Sequence, residues 1–127
     1  MTLSTILALY GLLVAITLVL QATGYMQKLG MGYLLSSRDE HRTVEGMAAR
    51  LDRALNNSVV GMALFGPAVL LLIILDRETN QALLAAQVFL AARVVYLPAY
   101  VFGIVGLRTF AWSAGFVATV ILYLLAL

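Results

Sequence analysis

Arg93-Val94-Val95-Tyr96-Leu97-Pro98-Ala99-Tyr100 is a polar stripe inside an apolar run that extends from Ala82 to Leu107. That run is long enough to cross a bilayer, whose hydrocarbon is about 30 Å thick and takes about 20 helical residues. Tyr96 and Tyr100 follow Arg93 at offsets of three and seven, which places all three polar tips on one helical face. A guanidinium at that depth costs at least ~2.5–3.5 kcal/mol unless it meets protein or water. The stripe therefore faces an interior or a cavity, and a ligand is expected there.

Composition supports the same class. The chain has 127 residues, 63% of them hydrophobic and only 11% charged, whereas soluble domains are about 25% charged. The length suits one domain, read as a single membrane domain over residues 1–127. There is no cysteine, which excludes disulfides, thiolate metal sites and a cysteine nucleophile. The net charge of +2 is spread along the chain, so no nucleic-acid surface is expected.

Four apolar segments are expected to span the membrane, at about residues 3–21, 55–75, 82–107 and 109–127. No basic residue precedes the first, so it reads as a retained helix and not a cleaved signal. Tyr10, Thr17 and Gly24 recur at intervals of seven along it and suggest a packing face. The second segment extends back as a helix through Asn57 and Ala54, with Arg50, Arg53, Asn57 and Val60 along one side. Arg53 and Asn57 read equally well as boundary residues that snorkel and bind neighbouring helices, or as ligand contacts. Pro67 and Pro98 predict kinks. Trp112 and Tyr123 read as interfacial anchors.

The basic residues set the expected orientation. Lys28, Arg38, Arg42, Arg50 and Arg53 fall in the first connection, Arg108 in the third, and only Arg77 in the second. The positive-inside rule puts the first and third connections in the cytoplasm and both termini outside it. Ser37 and Glu40 have the spacing of a capping box, and His41 reads as a solvated surface residue. Arg53, Asn57, Tyr96, Tyr100 and Arg108 then gather at one membrane boundary, with Arg93 deepest. Cationic and phenolic donors beside apolar walls suit an anionic ligand with a lipophilic neighbour.

Three ordered motifs carry a family resemblance: Arg50-x-x-Arg53-Ala54-x-x-Asn57, Ala92-Arg93-x-x-Tyr96-x-x-x-Tyr100, and Leu107-Arg108-Thr109. Together they resemble the MAPEG family, the membrane-associated proteins of eicosanoid and glutathione metabolism, and Ser37-Arg38-Asp39-Glu40 is similar to its bacterial members. The resemblance implies an all-α membrane protein, a four-transmembrane-helix bundle assembled as a homotrimer in a bacterial inner membrane. It implies glutathione as co-substrate, held between protomers. Arg53, Asn57, Arg93, Tyr96 and Tyr100 match the family's glutathione contacts, and Arg108 matches the arginine that stabilises the glutathione thiolate. The implied activity is a glutathione-dependent transferase or peroxidase acting on small lipophilic electrophiles, with no metal. One position departs: three residues after the motif asparagine the family commonly has Glu, and here it is Val60. That departure supports an alternative, a non-enzymatic membrane scaffold or lipid-binding subunit working with a partner subunit.

Overall fold

The computed structural model describes residues 1–36 and 45–127. The described residues form helices only: α1 Leu3–Leu29, α2 Met31–Leu34, α3 Gly46–Ile74, α4 Asn80–Val101 and α5 Val105–Ala126. All but the short α2 are long and apolar enough to cross a membrane. The chain is an all-α integral membrane protein with a bundle of four membrane-crossing helices. The expected capping box and His41 lie outside the described residues.

Local signals set most helix ends. Thr2 and Thr79 each accept a hydrogen bond from the amide three residues on, which caps α1 and α4. α3 closes in a Schellman motif: the Arg77 N–H reaches the Leu72 carbonyl, the Asp76 N–H reaches the Ile73 carbonyl, and Asp76 sits at φ 56°. α4 closes the same way through Ile104 to Ala99 and Gly103 to Tyr100, with Gly103 at φ 73°. Glycine takes that left-handed conformation without a side-chain clash.

The helices depart from the expected segments at two places. Residues 22–29 continue α1 and residues 46–54 belong to α3, so much of the expected first connection is helical. The run expected as one span over 82–107 is divided, because Gly103 ends α4 and residues 105–107 open α5. An unbroken apolar run conceals this turn: the terminating hydrogen bonds are made by backbone, and only Gly103 marks it.

α3 and α4 form the central pair, with α1 packed on one side of it and α5 on the other. α4 is the most buried of the four and α1 the least, although α1 is the more apolar. The buried face of α4 is rich in small residues, including Ala82, Ala85, Ala86, Ala92 and Ala99, which let neighbouring helices approach closely. The junction of α1, α3 and α4 is an aromatic cluster. Phe65 and Phe89 stack at 3.8 Å, and Tyr10 meets Phe89 edge-on at 4.9 Å. The packing face expected on α1 is present: Tyr10 and Thr17 are buried, and Gly24 faces Ala48.

Candidate functional site

The Gly103 turn returns the chain so that the last turn of α4 and the first turn of α5 lie at the end of the bundle where α3 begins. Arg50 fixes this end by donating from Nε to the Val101 carbonyl at 2.7 Å. That carbonyl belongs to the last turn of α4, where the helix has unused acceptors and favours a cation.

Tyr100 is the centre of the cluster. Arg53 Nε donates to its hydroxyl at 3.1 Å. The Arg108 guanidinium lies over its ring, with Cζ 4.8 Å from the centroid. Tyr96 is next to it, with ring centroids 5.5 Å apart. Arg53 is exposed, whereas Arg108 and Tyr100 are half-buried. Two cations on one phenol at a bundle end, beside the opening turn of α5, give a locus where negative charge is favoured.

Arg93 sits deeper and is turned inward. Only 4% of its surface is exposed. Nη1 donates to Asn57 Oδ1 at 2.7 Å and Nη2 to Ser58 Oγ at 3.0 Å. Its Cζ lies 4.2 Å from the centroid of the Tyr96 ring. Arg93 thus joins Asn57 on α3 to Tyr96 on α4. The structure brings the six candidate residues into two linked groups: Arg53, Tyr100 and Arg108 at the boundary, and Asn57, Arg93 and Tyr96 one to two turns deeper.

Three further residues shape the deeper group. The Ser58 carbonyl accepts from the Tyr10 hydroxyl at 2.7 Å, so Ser58 serves Arg93 with its side chain and Tyr10 with its backbone. Gly61 leaves room for that phenol, because a Cβ there would lie 2.7 Å from the Tyr10 hydroxyl. A sequence signal for Ser58 existed. A buried guanidinium needs several acceptors and Asn57 offers one oxygen, so a second acceptor nearby was required. Tyr10 and Gly61 carried no such signal, since their roles exist only once α1 is docked. Asp52 accepts a hydrogen bond from the Gln21 amide on α1.

A groove of about 630 Å³ lies between α4 and α5, with Leu84, Val88, Phe110, Val117 and Ile121 among its walls. None of the six candidate residues lines it.

Searches of curated proteins and of solved structures gave no match. Comparison with known protein families matches the MAPEG family over residues 1–127, the whole chain. The arginine and tyrosine cluster at the bundle end therefore belongs to a four-span membrane protein of known lineage: the chain is a member of the MAPEG family.

Proposed function

We propose that this protein is a membrane-bound glutathione-dependent transferase or peroxidase acting on lipophilic electrophiles. One observation carries the reading: Arg53 and Arg108 converge on the Tyr100 phenol at one end of the bundle. Paired guanidiniums suit the carboxylates of glutathione. Arg53 and Asn57 from α3, with Tyr96 and Tyr100 from α4, form the binding surface. Arg93 contributes by holding Asn57 and Tyr96 in position. Arg108 is the catalytic residue. A thiol of pKa about 8.5 is mostly protonated at neutral pH, and a guanidinium beside it stabilises the thiolate. The thiolate sulfur attacks the electrophilic atom, and the leaving group departs with the electron pair of the broken bond. The electrophile reaches the site laterally through the bilayer.

In this reading the protein is a homotrimer of the bacterial inner membrane, glutathione lies between protomers, and the ends carrying the first and third connections face the cytoplasm. Glutathione binding to the detergent-solubilised protein tests the proposal, by calorimetry for affinity and ultraviolet absorbance for thiolate. Saturable binding with a thiolate signal supports it. No binding at millimolar glutathione refutes it and favours a scaffold or lipid-binding subunit. Val60 favours that second reading, because α3 carries no acid after Asp52 to meet the ligand's amino group.

A further inference from the structure

Arg93 is a buried cation whose partners are all neutral. Asn57 and Ser58 satisfy two of its nitrogens, and the Tyr96 ring covers one face. Nε has no hydrogen-bond partner among the described residues and is buried. Tyr10, the nearby phenol, donates to the Ser58 carbonyl and so keeps its proton. Hydrogen bonds relieve the lost hydration of a guanidinium, but its charge stays uncompensated.

Among the described residues no carboxylate is bonded to Arg93. Of the acids among the described residues, Glu45, Asp76 and Glu78 lie outside the long helices, and Asp52, in the second turn of α3, accepts from Gln21. A small bound anion would supply the counter-charge that these neutral partners do not.

A cavity of about 110 Å³ adjoins Arg93 between α3, α4 and α5. Asn57, Gly61, Gly115 and Thr119 also line it, and Val60 and Trp112, both partly exposed, bring it to the protein surface. Two glycines in the wall make this space: a Cβ on Gly115 would come within 3.8 Å of the Arg93 side chain, and one on Gly61 within 3.9 Å. The volume is several times the share of one water molecule, about 30 Å³. The wall combines a buried cation and the Asn57 amide with apolar surface, a setting for a weakly hydrated anion; the Thr119 hydroxyl is already donated to the Gly115 carbonyl.

We propose that this cavity is a binding site for a small inorganic anion of halide size, held by Arg93 and compensating its charge. The site contains none of Arg53, Tyr100 and Arg108, shares Asn57 and Val60 with the edge of the proposed glutathione surface, and does not rest on glutathione use.

Trp112 is the single tryptophan of the chain and lines the cavity, so bromide quenching of its fluorescence reports occupancy. The detergent-solubilised full chain is titrated with bromide at constant ionic strength. The site predicts a saturable quenching component above the linear collisional one. Val60→Glu, which puts a carboxylate in the wall while retaining Arg93, weakens that component by about tenfold or more. Arg93→Gln abolishes it, and Arg108→Gln leaves it in place. Purely linear quenching that is equal in the parent and Val60→Glu overturns the proposal. Saturating glutathione leaves the bromide component unchanged, whereas displacement by glutathione overturns the inorganic-anion site and assigns the cavity to the peptide's carboxylate.

Discussion

Arg93 shows how competing energies are resolved at one residue. Its burial costs at least ~2.5–3.5 kcal/mol. Against this stand two hydrogen bonds from a charged donor, each about 1.5–3 kcal/mol, and a cation–π contact of about 0.5–2 kcal/mol. The attractive terms exceed the penalty, so Arg93→Gln is expected to destabilise the fold by about 1–4 kcal/mol, read as a lower unfolding temperature in detergent. A rise in that temperature would show that the buried charge is a net liability. Arg108→Ala makes the contrasting case. Arg108 is half-buried at a helix start, so the fold should persist while the glutathione thiolate signal is lost. An unchanged thiolate signal would remove Arg108 from the mechanism. The stripe Arg93, Tyr96, Tyr100 was legible because helical spacing alone puts the three on one face. The division of labour within it was not, since the partner of each cation is set by α3.

The approach of one helix to another depends on single atoms. Gly61→Ala would bring a Cβ against the Tyr10 hydroxyl and force α1 away from α3, at about 1–3 kcal/mol. Gly106 faces open space on α5, so Gly106→Ala should be neutral or stabilise by up to about 1 kcal/mol. Thermal unfolding of the two variants side by side checks the difference, and equal shifts would refute the close-approach argument. Pro67 leaves the Ala63 carbonyl without its helical donor, and beside it the Tyr123 hydroxyl donates at 2.6 Å to the Leu64 carbonyl. Tyr123 is thus a tie between α5 and α3 as well as an aromatic near a helix end. Tyr123→Phe should lower stability by about 0.5–1.5 kcal/mol, and no change in unfolding would remove the tie. Four apolar helices were legible from run length. The turn at Gly103 was not, because hydropathy continues through it while the backbone reverses.

Across the whole molecule, the extremes of apolarity and burial are opposed. α1 is the most apolar helix and the least buried, whereas α4 carries Arg93 and the tyrosines and is the most buried. Sequence alone shows which helices suit lipid but not which side of each meets protein, since lipid and core select the same residues. Light scattering of the detergent complex should give three copies of the chain if the site is shared between protomers, and a monomer that binds glutathione fully would contradict that arrangement. The hydroxyls of Thr17, Thr23, Ser113 and Thr119 each donate to the carbonyl four residues earlier in their own helix. α1 therefore enters the membrane with its threonines already satisfied, long before residue 58 has been synthesised to receive Tyr10. Insertion and docking become separable stages: each helix is tolerable alone in lipid, and the few bonds between helices then choose the final arrangement from among those that lipid permits.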